Sequence, residues 1–260
     1  MSIKTTAPKK VSAKKTTAPS ASALQELLQA GVHFGHKTER WHPKMAPFIH
    51  SARNGVHILD LIQTETRLKE AEKIVEQLTG QGKTVLFVAT KRQAKAVVEK
   101  AAKDAGMPYV TYRWLGGMLT NWETISSRIR HLKKLEAQRE DGSFDKLTKK
   151  ERLLRDEETT KLSKTFGGVR DLTQLPDALF IVDIPRETIA IKEANHLKTP
   201  VIAMADTNAN PEGVQYVIPA NDDAVKSVAL ITNRIAQAAS KGAAAYAAKT
   251  KSDKNEESEG

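Results

Sequence analysis

Between Gly31 and Leu61 the chain reads GVHFGHKTERWHPKMAPFIHSARNGVHILDL, which holds five of its seven histidines: His33, His36, His42, His50 and His57. Lys37, Arg40, Lys44 and Arg53 lie among them, with the rings of Phe34, Trp41 and Phe48. Neither a core strand nor a core helix would choose such a mixture. Cations neutralise phosphates and flat rings stack on unpaired bases, so the segment suits irregular RNA. Zinc is the competing chemistry for dense histidine, but the chain has no cysteine to complete a structural tetrad. His33 and His57 also suit the edge of a core; Lys37, Arg40 and Lys44 do not.

Two other places could carry chemistry. GQGKT at 80–84 ends like a phosphate-binding loop, yet Gln77 stands where that loop needs its first glycine, and the run precedes a strand instead of following one. The second place is set by geometry, because open α/β sheets bind ligands beyond the carboxyl ends of their strands. Thr90, Lys91 and Arg92 follow one expected strand, Arg113 to Asn121 (RWLGGMLTN) a second, and Asp183 and Asp206 two more. Asp183 and Asp206 could hold Mg²⁺ with Glu187 or His196 assisting, which is the basis of a rival reading as a phosphate- or metal-dependent enzyme. No nucleophile stands beside a base at a recognisable spacing and no dinucleotide fingerprint follows the first strand, so catalysis is the weaker reading. In RWLGGMLTN the pair Gly116-Gly117 serves close packing or lets a phosphate backbone lie against the loop, with Arg113 supplying charge and Asn121 a polar contact or helix cap.

These residues need a scaffold, and the pattern supplies one. Val85–Ala89, Pro108–Tyr112, Ala178–Asp183, Val201–Ala205 and Val214–Ile218 read as strands, alternating with helices at Lys91–Ala105, Glu187–Leu197 and Asp222–Ala239. That alternation predicts a doubly wound sheet of five parallel strands with helices on both faces. In the last helix Asn221 is the expected N-cap, with Val225, Val228, Ala229 and Ile235 facing inward. Thr64–Gln77 is an amphipathic helix before the first strand, and Asn54-Gly55 turns a small hairpin between 47–50 and 56–59. Some ~65 residues separate the second and third strands, far more than a crossover needs. An inserted antiparallel helical hairpin at 121–166 fills that gap, with Ile125, Ile129 and Leu132 as its apolar seam and Arg128, Lys133, Lys134, Lys149 and Lys150 among its cations. A solvated coiled coil and a protein-only adaptor are the alternatives for that arm.

The formal net charge of +10 and pI near 9.6 point to an anionic partner. No apolar run approaches the ~20 residues that span a bilayer, and the N-terminus lacks a signal-peptide core, so a cytoplasmic, membrane-free protein is expected. The 40% hydrophobic content allows a real core in one α/β domain at 21–240. Residues 1–20, rich in lysine and without an acid, and 241–260, small and then mixed in charge, read as disordered tails.

LLQAGVHFGH at 27–36, RNGVHILDL at 53–61, RWLGGMLTNW at 113–122, FDKLTKKE at 144–151, LPDALFIVD at 175–183, IAIKEAN at 189–195 and DTNANPEGVQYVIPANDDA at 206–224 together resemble the bacterial S-two family of small-subunit ribosomal proteins. The resemblance runs in order from about 21 to 240. It implies a flavodoxin-like sheet with an inserted helical hairpin, no enzyme, no cofactor, no metal and no small-molecule substrate. It also implies 16S ribosomal RNA as partner, a place bridging head and body on the solvent side of the small (30S) subunit among neighbouring subunit proteins, and a part in holding ribosomal protein S-one for translation. The strand-end aspartates would then be structural. His42 departs from the family's usual asparagine, Thr199 from an aliphatic residue before Pro200, and the basic leader is longer than usual. The RNA contacts expected from residues and resemblance together are His36, Lys37, Arg40, Trp41, Lys44, Arg53, Lys91, Arg92, Arg113, Asn121, Arg128, Lys133, Lys134, Lys149 and Lys150.

Overall fold

The computed structural model describes residues 20–258, with side chains through residue 250. The basic leader read above as a tail thus lies outside the described residues, apart from Ser20. Five strands form one parallel sheet: β4 (Val85–Val88), β5 (Tyr109–Val110), β6 (Ala178–Val182), β7 (Val201–Ala205) and β8 (Tyr216–Pro219), in the order β5-β4-β6-β7-β8. Counted from β4 this is 2-1-3-4-5, the flavodoxin-like order of a doubly wound sheet. VLFV, ALFIV and VIAMA are buried at every position because helices or loops cover both faces, which is why these strands read as unbroken apolar runs.

Alternate residues feed two cores. Val85, Phe87, Phe180 and Met204 face α2 (Leu61–Thr79), α3 (Lys95–Asp104) and α7 (Val225–Ser258), while Leu86, Val88, Leu179 and Ala203 face α6 (Thr188–His196) and the base of the inserted hairpin. That hairpin is α4 (Trp122–Glu140) and α5 (Lys149–Phe166). Ile125, Ile129, Leu132 and Phe166 belong to the second core, and further out Leu135 and Phe144 are buried within the hairpin. Thr148 opens α5 with a reciprocal capping box to Glu151. Asn121, expected to cap α4, makes no side-chain cap bond.

The N-terminal region differs from the expected two-stranded hairpin. Helix α1 (Ala21–Gln29), capped by Ser20, leads into β1 (Phe34–Lys37), which pairs with β3 (Val56–Leu59) on the side away from β2 (Ile49–Arg53), giving an antiparallel order β1-β3-β2. FGHK lacks the apolar alternation that betrays a strand. Asn54 and Gly55 stand at φ 50 and 75 between the paired Arg53 and Val56, the left-handed two-residue turn that asparagine and glycine favour. The C-terminal region also departs from expectation: α7 continues through the segment read as a tail to Ser258. Its alanine-rich stretch is a strong helix former even where it has little to pack against. Val225, expected inward, is exposed, and the buried face of α7 starts at Ser227 and Val228.

Candidate nucleic-acid interface

Because the large sheet is parallel, the loops after β4, β5, β6, β7 and β8 gather at one carboxyl edge, and the N-terminal sheet is docked there. Thr207, just after β7, is the hinge of that contact: its Oγ1 accepts the His36 N–H at 2.9 Å and its carbonyl the His42 N–H at 2.8 Å. Gly35 allows the approach, since a Cβ there would lie 2.5 Å from Thr207 Cγ2. Asn221, after β8, donates its N–H to Val32 O at 3.0 Å and its side-chain amide to Gly31 O at 3.1 Å.

Beneath that cap lies a charge cluster. Lys91 Nζ stands 2.6 Å from Asp222, 2.7 Å from Asp223 and 3.3 Å from Asp183. Burial alone would lower its pKa, but the carboxylates, Asp222 foremost, outweigh it and drive it up. His36 Nδ1 approaches Asp206 Oδ2 at 3.0 Å and its Nε2 approaches Asp223 at 3.4 Å. Hydrogen bonding to Asp206 is the chief cause that raises the imidazole pKa, against the effect of burial, and the charges of Asp206, Asp222 and Asp223 add to it. Four acids thus face two cations. Burial, followed by the charges of Asp183 and Asp206, pushes Asp222 up to about 7. One nitrogen of His36 and one oxygen each of Asp206 and Asp223 lie within 4.8 Å of one another, a spacing a divalent cation could span, whereas Asp183 turns to Lys91. Glu187 is buried and accepts from Thr90 N–H at 2.9 Å and Thr90 Oγ1 at 2.5 Å, while Arg186 Nε donates to that hydroxyl at 3.0 Å. Of the groups of the enzymatic rival, Thr90 is thus bound to Glu187, Asp183 faces Lys91 and Asp206 faces His36, while His196 is exposed at the C-terminal end of α6.

The loop from β5 to α4 is gathered on Glu193 of α6. Trp114 Nε1 and Gly117 N–H donate to its Oε1 at 3.1 and 2.8 Å, and Leu119 N–H, Thr120 N–H and Thr120 Oγ1 to its Oε2 at 2.9, 3.2 and 3.2 Å. Desolvation pushes this carboxyl up, but the donors, led by Leu119, outweigh it and hold its pKa below the usual range.

A family model described as Ribosomal protein S2 matches residues 27–242, which takes in the N-terminal sheet, the parallel sheet, the hairpin and the first half of α7. The chain belongs to the ribosomal protein S2 family. Proteins named small ribosomal subunit protein uS2 are similar to it along nearly their whole length. That of Saccharophagus degradans is 51% identical over 222 residues, covering 85% of this chain and 90% of its own. Those of Shewanella halifaxensis and Psychrobacter cryohalolentis are 50% and 51% identical, covering 85% and 86% of this chain and 91% and 84% of theirs. The S2 family is one of structural components of the small ribosomal subunit, working in translation, and not of enzymes.

Within this S2 fold the expected contact residues divide. Lys37, Arg40, Trp41 and Arg53 are exposed on and beside the N-terminal sheet, and no ion pair engages the three cations among the described residues. Lys44 is exposed but paired with Glu212. His36 and Lys91 belong to the internal charge cluster: His36 ties the cap to Asp206 and Asp223 on the sheet's edge, while Lys91 ties the loops after β4, β6 and β8 to one another. Arg92, Arg113 and Asn121 are exposed along the carboxyl edge. Arg128, Lys133, Lys134, Lys149 and Lys150 lie on the hairpin, where Lys133 meets Asp171 at 3.2 Å. Two residues that matter most to this geometry were not singled out from sequence, Thr207 and Glu193. Glu193 has a signal, an acid on the same α6 face as Ala190 and Ala194, which needs a buried partner. Thr207 has none.

Proposed function

We propose that this chain binds 16S ribosomal RNA in the small subunit, with the N-terminal sheet and the carboxyl-edge loops as the principal contact surface and the hairpin as a second. The observation that carries the reading is the sorting of cations: Lys91 is buried among acids, whereas Lys37, Arg40, Arg53, Arg92 and Arg113 are exposed with no ion pair among the described residues. Such cations neutralise phosphate, and Trp41, exposed and tilted at 49° to the His57 ring with centroids 5.5 Å apart, offers its ring to a base or sugar. Specificity then comes from RNA shape, because a rigid cap and an arm at fixed separation fit only a folded junction. The finer placement, a bridge between head and body on the solvent side and a support for ribosomal protein S-one, rests on the family resemblance alone.

The test is reconstitution. Small subunits stripped of this protein are incubated with the full chain in moderate salt and sedimented. One copy per subunit supports the reading, and substoichiometric, salt-labile association rejects it. Retention of S-one by subunits with and without the chain tests the finer placement.

A further inference from the structure

Five donors converge on one buried carboxylate, and all five come from a single loop whose Trp114, Met118 and Leu119 are buried in the second core while Arg113, Gly116 and Thr120 are exposed. Gly117 takes φ +87, a conformation that turns its N–H toward Glu193 and that side-chain-bearing residues rarely adopt. Backbone N–H groups converging in this way form an anion-binding concavity. Here the concavity is filled from inside, by a side chain 8% exposed. The Gly117, Leu119 and Thr120 amides are therefore taken up by Glu193, while the adjoining Tyr112 and Arg113 are exposed.

We propose that Glu193 is the positioning residue of the RNA-facing loop, an internal anion around which residues 114–120 are wrapped so that Arg113 meets phosphate in one fixed geometry. This rests on the RNA-binding reading above. Both carboxylate oxygens accept, which an amide cannot reproduce: with glutamine at 193 one oxygen serves one set of donors, and the NH₂ opposes the other set. A loop with paired glycines then has many conformations open to it, and a contact made by Arg113 loses its supporting shell.

The experiment compares the full-length wild type with Glu193→Gln and Glu193→Asp, measuring binding to a protein-free 16S rRNA transcript over a salt series and the Trp114 indole N–H resonance in the unbound protein. Expected are a shifted indole resonance and roughly 10-fold weaker binding with a shallower salt slope for the glutamine variant, since fewer phosphates are engaged, and partial recovery of both with aspartate. A glutamine variant whose indole shifts while affinity and slope stay at wild-type values overturns the proposal, as does an unmoved indole. If the glutamine variant does not fold, Thr120→Val removes one donor and leaves the carboxylate in place; the same changes at smaller size support the proposal, and unchanged binding overturns it. Failure of the wild type itself to bind the transcript rejects the RNA-binding reading, a different outcome.

Discussion

Replacing Lys91 with methionine would leave Asp222 buried without its cation, although Asp223 keeps its access to solvent, and losing one partner of a buried pair costs ~3–5 kcal/mol. Urea denaturation of Lys91→Met should show that loss, and a change under ~1 kcal/mol would mean that solvent already screens the cluster. The same groups set a pH dependence. Asp222 titrates near 7 in the fold against an ordinary carboxyl value, and His36 is raised above its ordinary value. Both make the folded state bind more protons than the unfolded chain. Their contribution to stability is therefore greatest below the ordinary carboxyl value and is lost as the pH climbs toward about 7, where Asp222 gives up its proton, and then through the raised His36 value as the imidazole loses its charge. Asp222→Asn should flatten the profile; a urea midpoint for wild type that rises from pH 5.5 to 8 would contradict the assignment. Residue chemistry is the least legible level in the sequence. Lys91 and Arg92 stand side by side in the same basic run, and only the fold reveals that the first meets Asp222 from the far end of the chain while the second faces solvent.

At the scale of elements, the small antiparallel sheet is a separate cap fixed to the carboxyl edge. Gly35→Val would drive a side chain into Thr207 and toward the His57 carbonyl, which a Cβ alone approaches to 3.1 Å. Overpacking of this kind costs ~1–3 kcal/mol, and it should release the cap without melting the sheet. Hydrogen exchange is expected to speed up at the His36 and His42 amides while β4, β6 and β7 stay protected; uniform loss of protection would show that cap and sheet unfold as one. Elements are legible in the sequence where burial is complete or a turn is chemically forced. VLFV, ALFIV and VIAMA announce central strands, Asn54-Gly55 its turn, and Asn121 onward a long helix, even though Asn121 is no cap. β1 is hidden because FGHK is short and lacks alternation, and it takes its form from what it docks against, whereas α1 does carry a signal, since Leu24, Leu27 and Leu28 recur at helical spacing behind the Ser20 cap. The continuation of α7 is hidden for a different reason, since alanine and charge read equally as helix or as tail.

The whole molecule is an α/β sheet whose usual ligand edge is closed, by a cap above and by ion pairs beneath, and whose unpaired cations lie outside that closure. The order 2-1-3-4-5 is foreshadowed by the alternation of strands and helices, but the closing of the edge is not, because it depends on contacts such as Asn221 to Val32 that join the two ends of the chain. Excising the outer part of the hairpin, residues 136–158, should leave the parallel sheet folded, since Ile125, Ile129, Leu132 and Phe166 remain to complete the second core, while RNA affinity falls. Circular dichroism and thermal melting of that truncated chain check the first half, and loss of cooperative unfolding would count against an independent sheet. The central claim, that exposed cations of the cap grip ribosomal RNA phosphates, is tested most directly by the salt dependence of binding to a 16S rRNA transcript for wild type and for a Lys37→Ala, Arg40→Ala, Arg53→Ala triple variant. With each phosphate contact worth a slope of ~0.7–0.9 in log affinity against log salt, the variant should bind more weakly with a slope reduced by about 2; equal affinities and parallel slopes would contradict the claim.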